Sequence, residues 1–177
     1  MPRYTHVSIH AEPIKVRTTV DDEQQRQDKP EGFWYEVDGD WRRWCQAESM
    51  GHWLEGRMLH RVVFGDESIL RISSVDELDN FTHHYGFSRF SDRLVDGIEW
   101  RPLFEMYDGI EIAPYLWERR LSHASWYYSW DCASGVIWRA KGIRTEVIGP
   151  VPPANLGPHS RHEWPGAESS ARPLPKP

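Results

Sequence analysis

The segment Tyr107-Asp108-Gly109-Ile110-Glu111-Ile112-Ala113-Pro114 places one carboxylate in the middle of an apolar stretch. Asp-Gly is a turn dipeptide. Ile110 and Ile112 alternate around Glu111, so the segment reads as a short strand with Glu111 on the face away from the isoleucines. An unpaired charge is expensive to bury. Glu111 is therefore expected to be solvated, paired, or functional. Chemistry that develops positive charge could use such a carboxylate. Two other groups could join it. His6-Val7-Ser8 lies on a first strand, with His6 and Ser8 on one face. Trp34 and Tyr35 lie on an aromatic strand that runs into a helix.

The elements that must position these groups follow from periodicity. Residues 4–10 alternate and read as the first strand. Residues 18–31 are polar and without apolar periodicity, which predicts an exposed connection. The strand Gly32-Phe33-Trp34-Tyr35-Glu36-Val37 is followed by a turn at Asp38-Gly39-Asp40. Asp40 is expected to cap a helix over about 41–48, with Trp41 and Trp44 on one face. Strands are expected at 59–64 and 68–73, joined by the turn Gly65-Asp66-Glu67. Ser74-Val75-Asp76-Glu77 is a capping box for a helix carrying Leu78, Phe81 and Tyr85, ended by Gly86. After a loop from Phe87 to Gly97, Trp100, Leu103, Phe104 and Tyr107 predict a short helix with Pro102 in its first turn. Beyond the Glu111 strand, Pro114 opens an irregular or helical stretch to about Leu121. Strands are expected around Trp126–Trp130, with Trp126, Tyr128 and Trp130 on one face, then at Gly135–Trp138 and Ile143–Ile148. From Gly149 the chain is Pro-rich and polar. The expectation is one α+β domain over 1–148, mostly antiparallel with short helices, and an extended Pro-rich tail over 149–177.

Composition narrows the class. The 177 residues suffice for a core without disulfides or metals. Ten Trp, seven Tyr and six Phe predict a core of few, large, aromatic side chains. A formal charge of −6 argues against a general polyanion-binding surface. The two cysteines, Cys45 and Cys132, fit free thiols in a cytoplasmic protein, with one disulfide as the alternative. Cys132 has no fixed His near it in sequence and reads as structural. His83 and His84 are neighbours on a helix, diverge by about 100° and make a poor metal pair. The start MPRYTHVSIH has no apolar run of a signal peptide, and no stretch approaches the roughly 18 apolar residues of a membrane span. There is no Gly-rich phosphate loop of either standard kind, which removes ordinary nucleotide triphosphatases and Rossmann dehydrogenases.

The order His6-Val7-Ser8, then Trp34-Tyr35 running into a helix, then Glu111 on a later strand, resembles the ADP-ribosyltransferase superfamily. Val7 stands where that family usually has Gly, and its Ser-Thr-Ser run is missing from the second motif. The resemblance implies an ADP-ribosyltransferase-like fold with NAD as co-substrate. It implies that His6 binds the nicotinamide ribose with Ser8 in support, that Trp34 and Tyr35 supply the aromatic wall on which nicotinamide stacks, and that Glu111 is catalytic. Loss of nicotinamide passes through an oxocarbenium-like state. A carboxylate beneath the sugar favours that state over the ground state. The acceptor of the ADP-ribose, whether protein, nucleic acid or small molecule, is unspecified. The phrases KPEGFWYEVDGDWRRWC, YDGIEIAPY and WYYSWDCASGVIW also resemble a family of bacterial and phage proteins with no settled activity. That second resemblance, with the Pro-rich tail, implies the other function class: a non-enzymatic interaction or accessory protein whose tail docks on a partner.

Overall fold

In the computed structural model, which describes residues 3–20, 28–89 and 94–152, nine strands and three helices alternate irregularly along the chain. The strands are β1 (Tyr4–Ser8), β2 (Phe33–Val37), β3 (Met58–Val63), β4 (Ile69–Ile72), β5 (Gly86–Phe87), β6 (Gly97–Ile98), β7 (Gly109–Ile112), β8 (Ser134–Ile137) and β9 (Arg144–Pro150). The helices are α1 (Asp40–Ala47), α2 (Val75–Tyr85) and α3 (Arg101–Met106). Seven strands form one sheet in the order β4-β7-β8-β2-β1-β3-β9, and β5 and β6 pair separately. Only β4 and β7 run parallel; every other neighbouring pair is antiparallel. The parallel pair is made by a crossover through α2, β5, β6 and α3. The α+β class and mostly antiparallel sheet expected from the sequence are present.

The sheet is strongly curved, and a chain-length argument shows why. Adjacent strands lie about 4.8 Å apart, so in a flat sheet β3 and β4, five places apart, would be separated by about 24 Å. The six steps from Val63 to Ile69 reach about 21 Å at full extension. The connection therefore folds the sheet over its concave face. Phe64 marks this: its ring lies 4.8 Å from Tyr4 and 5.2 Å from Tyr35, both with edge contacts. Glu67 ties the same connection to the segment before β9, accepting from the backbone N–H groups of Lys141 and Ile143 at 2.7 and 2.6 Å.

Cross-strand register sorts the side chains. On the convex face Trp34 pairs with Val136, which pairs with Ile110, which pairs with Leu70. On that face Ile72, Ile110, Ile112 and Val136 join Leu78, Phe81, Trp100, Leu103, Trp126, Trp130 and Trp138 in the main core. The capping box of α2 is complete: Glu77 N–H donates to Ser74 Oγ at 3.3 Å, and Ser74 N–H donates to Glu77 Oε2 at 3.1 Å. Pro102 occupies the first turn of α3.

Several elements differ from expectation. Residues 126–130 are not a strand but a 3-10 turn, Ser125–Trp130, in which Trp126, Tyr127 and Trp130 are buried and Tyr128 is exposed. Four aromatics in five residues, interrupted only by Ser129, carry no clear period that separates strand from helix. Asp40 does not cap α1; it is the first helical residue, and Gly39 precedes it in a left-handed conformation. The stretch after Pro114 holds one 3-10 turn, Trp117–Arg119. The last strand runs past Ile148: Gly149 pairs with Leu59, Pro150 with Met58, and Val151 N–H donates to Arg57 O at 2.8 Å. The domain thus extends beyond residue 148, and the expected tail from 153 to 177 lies outside the described residues, as do 21–27 of the polar connection and 90–93 of the loop. No helix among the described residues is long and apolar enough to cross a membrane.

An aromatic core carries a pH signature. Burial pushes the Tyr35, Tyr115 and Tyr127 hydroxyls above their ordinary value near 10, and Glu111 adds to the effect at Tyr35. The folded state favours the protonated phenols, so their contribution is complete below about pH 10 and is lost as pH rises toward the folded values. These three tyrosines are expected to ionise only as the protein unfolds. An ultraviolet titration of phenolate with parallel circular dichroism should show their absorbance rising in one cooperative step with loss of structure.

Candidate functional site

Glu111 sits in a single cross-strand row. Tyr35 on β2 faces Gly135 on β8, Gly135 faces Glu111 on β7, and Glu111 faces Arg71 on β4. Gly135 leaves its place in the row open, and the Tyr35 ring lies across it; a Cβ at 135 would collide with the ring and its hydroxyl. Tyr35 Oη thereby reaches Glu111 and donates to Oε2 at 2.9 Å. Arg71 Nε lies 3.5 Å from Glu111 Oε1. Tyr35 is 2% exposed and Glu111 6%. A hydrogen bond to a charged group contributes about 1.5–3 kcal/mol. The Arg71 pair is worth less, since that side chain is half exposed and screened. Glu111 is therefore the paired carboxylate of the three outcomes its sequence allowed.

Of the other residues singled out by sequence, His6 and Ser8 lie on β1 on the Tyr35 face of the sheet, and Trp34 lies on the opposite face. His6 Nδ1 is 2.7 Å from the Trp34 carbonyl. A carbonyl only accepts, so this bond places the proton on Nδ1. Burial lowers the His6 pKa, with the Trp34 bond opposing, and keeps the ring neutral near pH 7. Its ring packs 4.6 Å from Phe33. Ser8 Oγ accepts from His10 N–H at 3.1 Å and closes the end of β1. Trp34 alternates with Tyr35 along β2 and so points to the face opposite Glu111.

On that opposite face lies a cavity of about 310 Å³. Its aromatic walls are Trp34 from β2, Trp41 from α1 and Trp130 from the end of the 3-10 turn, and Lys29, Cys132 and Ser134 complete much of the lining. His6 and Tyr35 border it on the strands that back it, while Glu111 and Ser8 do not. The Trp34 and Trp130 rings meet edge to face at 4.9 Å. Lys29 Nζ lies 5.1 Å from the Trp34 ring centre and 3.8 Å from Asp131 Oδ2.

Buried carboxylates hold these walls in place. Asp38 and Gly39 both take positive φ, which turns the chain sharply from β2 into α1. Glu36 then accepts from Thr5 Oγ1 at 2.7 Å, from Arg42 N–H at 3.1 Å and from Arg42 Nε at 2.6 Å. It thus meets the positive end of α1 with a negative charge. Asp40 accepts from Ala133 N–H at 2.7 Å and from Arg43 Nη2 at 2.8 Å, fastening α1 to the start of β8. Cys45 and Cys132 are buried free thiols. Burial pushes the Cys45 thiol up to about 12 and raises Cys132 as well, so neither is a nucleophile near neutral pH. The sequence singles out Trp34 as a site residue, but not Trp41, Trp130 or Lys29. The density of Trp around β2 and α1 was the available signal.

Gly135→Ala should lift Tyr35 off the sheet and break its bond to Glu111. The expected cost is about 1–3 kcal/mol, read from urea unfolding, with the far-ultraviolet spectrum of the native state retained. The chain matches no family model, no curated protein and no solved structure.

Proposed function

We propose that this protein is a non-catalytic binding module that takes a flat aromatic group into the tryptophan-walled cavity. The observation that carries this reading is the convergence of Trp34, Trp41 and Trp130 on one cavity of about 310 Å³. That volume is at the lower end of the range for small-molecule pockets, about 300–1,000 Å³, and suits one or two fused rings. Indole rings give large contact area at small entropic cost, and they prefer stacked or edge-on partners. The walls come from two strand-anchored elements and a buried turn, so little ordering is needed on binding.

The transferase reading has one specific support: Tyr35 and Glu111 do converge. Two observations weigh against it. The Glu111 oxygens already hold Tyr35 and Arg71, and the cavity walled by Trp34 opens on the other face of the sheet. A carboxylate that is to steady a cationic sugar must face the sugar, so no step through NAD is derived for this chain.

Two measurements on the full chain test the reading. Calorimetric titration with 2-naphthamide should give saturable binding that Trp34→Ala weakens by about tenfold or more, as expected for loss of an aromatic wall. Incubation with NAD should release no nicotinamide above the protein-free blank. Nicotinamide release that Glu111→Gln abolishes, without loss of folded protein, would restore the transferase reading.

A further inference from the structure

We infer that the tryptophan cavity takes the Trp164 side chain of the chain's own Pro-rich tail, so that an outside ligand must displace it. This rests on the reading of the cavity as a binding site for flat aromatic groups and adds its resident occupant.

The first observation is where the described chain ends. Val151 N–H donates to the Arg57 carbonyl at 2.8 Å. Val151 packs on the small core cluster of Trp44, Cys45, Leu54 and Cys132, as Val7 and Trp41 also do. Val7, Trp41 and Cys132 are at the same time part of the cavity lining. The chain therefore leaves the described fold beside the cavity. Pro153 to Pro177 follow, 25 residues with a single Trp, Tyr or Phe, which is Trp164. Trp164 stands twelve residues beyond Pro152, a stretch that reaches about 40 Å at full extension. A tether this short holds an indole at an effective concentration on the order of millimolar. Even a weak contact is then filled from within the chain before a second copy can supply it.

The second observation is what the cavity offers. Trp34, Trp41 and Trp130 wall a volume of about 310 Å³, room for one or two fused rings, and an indole is two. Polar side chains of the lining are already engaged within the protein. Thr5 Oγ1 donates to Glu36, Glu36 also accepts from Arg42, and Ser134 Oγ donates to the Cys132 carbonyl. Lys29 pairs with Asp131. The cavity therefore takes its occupant by ring contact rather than by charge. The tail offers that chemistry at one point. Trp164 is followed by Pro165, which brings a second apolar ring and no N–H to be satisfied. Aromatic-lined grooves hold Pro-rich segments by contacts of this kind.

The experiment uses the full chain labelled with nitrogen-15 and 2-naphthamide as the probe. The Trp164 indole N–H resonance is assigned by its loss in Trp164→Ala. Calorimetric titration should show 2-naphthamide binding about tenfold more tightly to Trp164→Ala than to the parent chain, because the competing ring is gone. In the parent chain, saturating 2-naphthamide should move the Trp164 resonance. Trp34→Ala, which removes a wall, should move it toward the same position with no probe added. Tenfold dilution of the parent chain should leave the resonance in place, as expected for an occupant on the same chain. Equal affinity in the two chains, or a Trp164 resonance that ignores the probe, would overturn the inference while the cavity remains a binding site. A resonance that moves on dilution would also overturn it, and would assign the cavity to the tail of a second copy. Failure of 2-naphthamide to bind either chain would remove the binding reading together with it.

Discussion

A carboxylate at the centre of the sheet constrains everything around it. Glu111 lies on a strand between two paired neighbours and is nearly inaccessible, so it must be satisfied by protein groups. The solution spans four strands: Tyr35 reaches over a glycine, and Arg71 closes the other side. This fixes register. A slip of one residue in β7 would turn Glu111 into the core face and put Ile110 and Ile112 against the polar row. With register fixed, Trp34 and Glu36 are committed to the face where α1 packs. The cavity is thus a consequence of the same pairing that buries Glu111 on the far side.

The molecule uses other carboxylates as joints between elements. Glu36 joins β1, β2 and α1. Asp40 joins α1 to β8. Asp108 accepts from Ser68 N–H at 2.8 Å and pairs with Lys141 at 2.9 Å and Arg139 at 3.3 Å. Burial pushes its pKa up, but these partners outweigh burial and hold it below the ordinary value. A core rich in large aromatic rings fills volume well and supplies few acceptors. Backbone N–H groups left open at element ends are met instead by these anions.

How far the sequence carries depends on the kind of signal. The Ser74–Glu77 capping box and the Trp41/Trp44 spacing are local rules, and both appear in the structure as written, the two indoles stacking at 5.0 Å. The strand around Glu111 is legible from alternation, which leaves its carboxylate solvated, paired or functional. Its partners are not, because Tyr35 and Gly135 stand 76 and 24 residues away in sequence. The Trp126–Trp130 run differs from the expected strand because aromatics at four of its five positions hide the period. Asp40 was read as a cap on residue type alone, yet tertiary contact to Ala133 claimed its carboxylate. The cavity was beyond reach for a related reason: Lys29, Trp34, Trp41 and Trp130 meet only after the sheet curves and α1 turns back over β2.

The central claim is that Glu111 is a structural anion held by Tyr35 across Gly135. A double-mutant cycle of Tyr35→Phe and Glu111→Gln, read by urea unfolding, tests it most directly. The account predicts that each single change destabilises the protein and that the pair couples by about 1–3 kcal/mol, the double variant being less destabilised than the sum. Additive changes within about 0.5 kcal/mol would contradict it and show that the two side chains act independently.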